Sequence, residues 1–130
     1  MYKIEKTSYG IKLTFGGFIQ KEEMNFWLDE SEFILKSVSS KFGVFVDMRE
    51  LKPLPSDSQE IMQKGQLMYK LKGMERSVVI LDNPIITLQF KRIAKETGIY
   101  DWERYVDASK NPNWEELGKK WLVSGIDTGL

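Results

Sequence analysis

The sequence predicts an α/β fold: a single domain with a mixed, mostly parallel sheet of about five strands and about four helices. Three observations carry that prediction. Nearly continuous apolar runs, "FGVFVD" and "SVVIL", and a shorter one in "WERYVD", alternate with amphipathic stretches such as "MNFWLDESEFIL" and "ITLQFKRIAKE". Strands separated by helices need crossover connections, which are right-handed and build parallel sheets. No repeat, linker or low-complexity tract divides the 130 residues, a length typical of one domain.

The first element is a hairpin. "YKIEKTSYGIKLTFGG" turns at Ser8-Tyr9-Gly10, and Ile11, Leu13 and Phe15 alternate with Lys12 and Thr14 as in a half-buried strand. Its first strand is expected to be antiparallel, at an edge of the sheet. In "KEEMNFWLDESEFILKSVSS", Met24, Trp27, Leu28, Ile34, Leu35 and Val38 share one helical stripe, and Phe26 and Phe33 stand to one side of it. "FGVFVD" lacks alternation, as a strand covered on both faces does. The prolines of "MRELKPLP" predict a loop after Asp47.

The second helix is "SDSQEIMQKGQLMYKLKG". Ser56 with Gln59, or Asp57 with Glu60, offers a capping box; Ile61, Gly65, Met68 and Leu71 mark the buried side, and Gly73 stops it. After "SVVIL", Asn83 caps a third helix that Pro84 opens, with Ile86, Phe90, Ile93 and Ala94 inward and Gly98 at its end. "WERYVD" is the last strand. Asn111-Pro112 repeats the Asn-Pro start, and "NWEELGKKWLVS" forms a final helix that turns Leu117, Trp121 and Leu122 inward and closes at Gly125.

Composition excludes several function classes. Lys plus Arg equals Asp plus Glu, 19 each, whereas a nucleic-acid binder usually carries a basic excess. The chain has no cysteine, so it can form no disulfide or thiolate nucleophile, and the cytoplasm is the natural compartment. It has no histidine, which removes the commonest general base and the commonest metal ligand. A Ser-His-Asp triad cannot be built. Gly16-Gly17 lacks the spacing of a phosphate-binding loop. "MYKIEKTSYG" lacks the apolar core of a signal peptide, and no window reaches the ~18 apolar residues of a membrane span. These features predict a non-enzymatic cytoplasmic protein without a cofactor, bound neither to nucleic acid nor across a membrane.

Candidate sites remain. Asp47, Asp82 and Asp107 each follow an apolar run, which places them at the carboxyl edge of a parallel sheet, where open α/β sheets bind ligands. Together they could hold Mg²⁺ through oxygen; singly, they are strand-end residues bonding nearby backbone, with Arg49 a solvated charge, and this is the preferred reading. Ser56 and Ser58 are helix-capping residues or phosphoacceptors at a helix start. Ser58, further inside the helix, is expected to be the freer hydroxyl. Phe26 and Phe33 either mark a groove for a partner or an apolar ligand or are covered by the next element. Met62, Met68 and Met74, placed on the second helix, are core filling or an adaptable surface.

The order of elements resembles that of STAS domains, the fold of anti-sigma-factor antagonists, and in particular the SpoIIAA-like branch. "FGVFVDMREL" followed by "PSDSQEI" is similar to that family's central strand and the loop and helix start after it. "IAKETGIYDWERYVD" and "WEELGKKWL" look like its closing segments, and the likeness spans residues 2–124. The resemblance implies a regulatory domain that works through a protein partner. In regulatory antagonists a serine after an aspartate at this helix start is phosphorylated, which makes Asp57 a contact residue and Ser58 the phosphoacceptor, with Ser56 second. This chain departs from the pattern at Gln59 and Glu60, where the family has small residues; their bulk and the charge of Glu60 would crowd a phosphate. Some SpoIIAA-like chains resemble the lipid-carrying CRAL-TRIO fold, which implies the alternative of a small apolar ligand. A second copy of the chain is a further partner compatible with these features.

Overall fold

In the computed structural model, which describes residues 1–127, strands β1 (Tyr2–Lys6) and β2 (Gly10–Gly17) form the expected antiparallel hairpin, with Tyr2 opposite Phe15 and Lys6 opposite Ile11. The chain then alternates through α1 (Lys21–Leu35), β3 (Phe42–Leu51), α2 (Ser56–Lys72), β4 (Met74–Leu81), α3 (Pro84–Thr97), β5 (Glu103–Asp107) and α4 (Trp114–Ser124). A 3₁₀ turn, Tyr100–Trp102, leads into β5. The five strands lie in sequence order, β1-β2-β3-β4-β5, and β2 through β5 are mutually parallel. The predicted α/β class, with a mixed and mostly parallel sheet, is therefore the observed one.

Crossovers of one hand that move steadily across a sheet lie on one face. So α1, α2 and α3 share a face, where Leu13, Phe15, Val44, Val46, Val79 and Leu81 meet Met24, Trp27, Ile61 and Phe90. α4 returns across the other face, packing Trp121 and Leu122 on Phe45, Val78, Ile80 and Val106. β3 and β4 are covered on both sides, which is why their sequences run apolar without alternation. No helix among the described residues is long and apolar enough to cross a membrane.

Local chemistry sets the helix ends. Asn83 Oδ1 accepts the Ile85 and Ile86 N–H groups at 2.8 and 3.4 Å, with Pro84 opening α3 as expected. Gly73 ends α2 at φ +111°, where a side chain would collide with the Ser40 carbonyl.

Four expectations need correction. β3 continues past Asp47 to Leu51, because "MREL" still pairs with β2 across an irregularity in register, so the loop is only residues 52–55. Neither proposed capping box forms at α2. Pro55 is its N-cap and Ser56 its first helical residue, while Gln59 Nε2 donates to the Leu54 carbonyl and Asp57 Oδ1 accepts the adjacent Ser58 N–H. The buried side of α2 is Ser58, Ile61, Met62, Gly65, Gln66 and Tyr69, and Leu71 is 85% exposed. Tyr69 decides that rotation, since its ring stacks on Trp27 at 5.8 Å and its hydroxyl bonds Ser31 at 2.7 Å. Finally, α4 matches the expected "NWEELGKKWLVS" with Asn113 as its N-cap, but Asn111-Pro112 does not open it, because Asp107 and Asn111 first fold residues 107–111 into turns. The methionines are core filling: Met62 and Met74 are buried and Met68 is half-buried, with Met74 on β4 rather than α2.

Candidate functional site

Two loops meet at the carboxyl edge of β2 and β3. The Lys52 N–H donates to the Gly17 carbonyl at 3.0 Å, and the Ser58 hydroxyl donates to the Ile19 carbonyl at 2.9 Å. Ile19 points into the core while Phe18, its neighbour, is 76% exposed. Around this seam Phe18, Pro53, Pro55, Ser56 and Asp57 face solvent. The expectation for the serines is reversed. Ser58 is fully buried and its hydroxyl is engaged, so it is not the freer of the two; Ser56, in the first turn of α2, is exposed. A phosphate on Ser58 would have to enter the core without compensating partners, at a cost far above that of a neutral polar group.

Beyond the seam runs α1. It buries Met24, Trp27, Ser31 and Leu35, and its opposite flank presents Phe26, 65% exposed, and Phe33, 75% exposed. Nothing among the described residues covers them, and the next element, β3, leaves both exposed. About two helical turns separate them, so they share one stripe. Hydrogen bonds from Tyr2 to Glu30 and from Lys6 to Ser37, each 3.0 Å, tie that flank to edge strand β1.

The carboxyl-edge acids have separate roles. β3, β4 and β5 are neighbouring parallel strands; Asp47 lies in register with Ile80, and Asp107 with Leu81. Asp47 is not a strand-end residue, and Arg49 is not a free charge. The Arg49 guanidinium donates to both Asp47 carboxylate oxygens, at 3.0 and 2.9 Å, and lies 4.1 Å from the centre of the Trp114 ring. Burial works to raise the Asp47 pKa, but the hydrogen bonds and charge of Arg49 outweigh it and hold the carboxyl below its usual range. This cluster fastens the first turn of α4 to β3. Asp107 accepts the Ser109 N–H at 2.9 Å and is punctuation, as preferred. Asp82 is exposed. Among the described residues no three acids converge on a point that could hold a metal ion, so the shared Mg²⁺ reading of Asp47, Asp82 and Asp107 has no geometry behind it.

α3 follows β4 on one face of the sheet and α4 follows β5 on the other, so the loops after these two strands part at the carboxyl edge. A cleft of about 550 Å³ lies there, lined by Asp82, Asn83, Thr87, Lys91, Asp107 and Lys110. Its polar groups are partly spent, because Asn83 already caps the free N–H groups of α3 and Asp107 its own turn. The core holds one small cavity of about 30 Å³ beside Trp27, Gln66, Tyr69, Ser77 and Glu103, space for about one or two waters and not for a lipid chain.

Three features escaped sequence reasoning. Phe18 belongs to no periodic stretch, although an aromatic just after Gly16-Gly17 is a loop aromatic. Arg49 with Trp114 could not be paired without the fold. Glu103 is buried, accepting hydrogen bonds from Ser77 at 2.9 Å and from the Tyr105 hydroxyl. Burial pushes its carboxyl up to about 7. Its signal was the spacing of Glu103 and Tyr105, which places both on one face of a strand.

No protein-family model matches this chain, and no curated protein resembles it closely enough to count as a relative.

Proposed function

We propose that the chain is a non-enzymatic interaction domain that regulates or scaffolds a protein partner, contacting it through α1 and the adjoining seam at the start of α2. The observation that carries this reading is the exposure of Phe26 and Phe33 on one stripe of a helix whose other side already fills the core. Apolar side chains left in water in such a row mark a contact surface. Phe18, Ser56 and Asp57 extend it around the amino end of α2, on loops held rigid by the Ser58–Ile19 hydrogen bond. The resemblance to anti-sigma-factor antagonists favours the same end of the molecule, with Ser56 as the hydroxyl open to a kinase. The apolar-ligand alternative finds little room inside the core, since the core cavity has the volume of a water or two.

The test is capture of partners from the native cell by wild type, Phe26→Ser, Phe33→Ser and Ser56→Asp. A partner retained by wild type, lost with either phenylalanine variant and weakened by Ser56→Asp supports the reading. No partner for any form, with a lipid extracted from the wild type, overturns it in favour of a carrier.

A further inference from the structure

We propose that the outer face of α1 is the docking surface for a cationic amphipathic helix of a partner protein. This rests on the interaction reading above and adds the partner's chemistry. The argument is one of charge around an apolar stripe. α1 carries Glu22, Glu23, Asp29, Glu30 and Glu32, and its basic residues stand only at its ends, Lys21 and the following Lys36. The whole chain is neutral, so this acidity is local.

Glu23 pairs with the terminal amine and Glu30 accepts the Tyr2 hydroxyl, whereas Glu22, Asp29 and Glu32 have neither an ion pair nor a hydrogen bond among the described residues. Their placement is specific. Asp29 and Glu30 are three and four residues beyond Phe26 and four and three before Phe33, so they sit between the two rings on the helix surface. Glu22 lies one turn before Phe26. The face is therefore two phenyl anchors about 10 Å apart, edged by unpaired carboxylates. That spacing matches the i, i+7 anchors of a helix lying alongside.

Charge also selects among occupants. A second copy in a two-fold contact would set the acids of α1 against the same acids. An anionic lipid surface or a nucleic acid would be repelled in the same way. A small apolar ligand finds a convex helix face here rather than a pocket. A helix with leucine-like residues on one side and lysine or arginine flanking them satisfies both features. The rings would supply most of the affinity, and the carboxylates the approach rate and register.

The probe is a labelled synthetic peptide of about 18 residues, about five helical turns, with leucine and lysine in helical register. Two controls accompany it, a scramble of the same composition and a version with glutamate for every lysine. Fluorescence anisotropy with the full chain reads binding at low and physiological salt. The in-register peptide binds wild type. Phe26→Ser and Phe33→Ser each weaken it at least about tenfold, equivalent to about 1.4 kcal/mol. Glu22→Lys with Asp29→Lys slows association and flattens the salt dependence. Val123→Ser, an exposed apolar position on α4 at the other face of the sheet, leaves binding unchanged. Because Phe26 and Phe33 are exposed, their variants keep the wild-type melting temperature, which separates lost binding from lost fold.

Equal binding of the scramble, or indifference to Phe26→Ser, overturns the proposal. So does a dimer in sedimentation that Phe33→Ser dissolves, which would give the face to a second copy, or adsorption to anionic vesicles through the same residues. If the peptide fails while partner capture still depends on Phe26, the partner's chemistry is refuted and the interaction reading stands. If neither depends on Phe26, both fall.

Discussion

Ser56 and Ser58 lie within one turn of α2 and meet opposite surroundings. Ser58→Ala removes the donor to the Ile19 carbonyl and leaves that buried acceptor unsatisfied, so it should cost about 1–3 kcal/mol in urea unfolding. Ser58→Asp, which buries a charge, should cost more. Ser56→Asp should stay within about 0.5 kcal/mol of wild type, as exposed substitutions do; a large loss there would refute the exposure described. Glu103 gives a prediction in pH. Its folded pKa is raised by burial to about 7 from 4.5. The folded state therefore holds the proton more tightly than the unfolded chain, and the favourable contribution is complete below about pH 4.5 and lost as pH rises through about 7. Stability should fall over that window by an amount on the order of 3 kcal/mol. Unfolding of Glu103→Gln across the same range should lack that slope.

At the scale of elements, Gly65 is a contact requirement. A Cβ there would collide with the Trp27 ring, which is held edge-on by Phe15 at 5.4 Å and stacked by Tyr69. Gly65→Ala should gain the helix propensity of alanine, up to about 1 kcal/mol, yet be destabilising overall, because forced overpacking typically costs about 1–3 kcal/mol. Chemical denaturation decides the sign. The sheet edge offers a second check at this scale. Asp47 is committed to Arg49, so millimolar Mg²⁺ should not shift the melting temperature, whereas a specific site filled to a hundred times its Kd would add about 2.7 kcal/mol. A saturable shift abolished by Asp47→Asn would restore the metal reading. Element identity and order were legible because periodicity and turn residues are local signals. Asn83-Pro84 marked its helix because the cap and the proline act within one turn. Asn111-Pro112 misled because Asp107 captured the same backbone first, and Leu71 because the pairing of Tyr69 with Trp27 and Ser31 is a long-range preference that rotates the helix.

For the whole molecule, the exposure of Phe26 and Phe33 was left open by the sequence, since it depends on where β1 ends the sheet. The burial of Ser58 was unreadable for the same reason, because its acceptor, Ile19, is distant in the chain. Stability should be distributed accordingly. β3 and β4 are covered on both faces, whereas β1 and β5 are edges. Native-state hydrogen exchange should be slowest in residues 44–47 and 78–81, with opening energies approaching the global value, and fastest in β1. Slowest exchange in β5 would contradict this ranking.

The lone helix on the second face has a consequence for synthesis. A chain emerging from the ribosome at about 5–20 residues per second presents its amino-terminal elements first. The β1–β5 sheet and the three helices on its first face are complete in the nascent chain before residues 114–124 appear. Until they do, Phe45, Val78, Ile80 and Val106 form an uncovered strip that Trp121 and Leu122 later close. A chain that ends just short of Trp114, held clear of the ribosome on a carboxyl-terminal linker, should therefore be nearly folded with a sticky back, one that chaperones recognise and that aggregates if released.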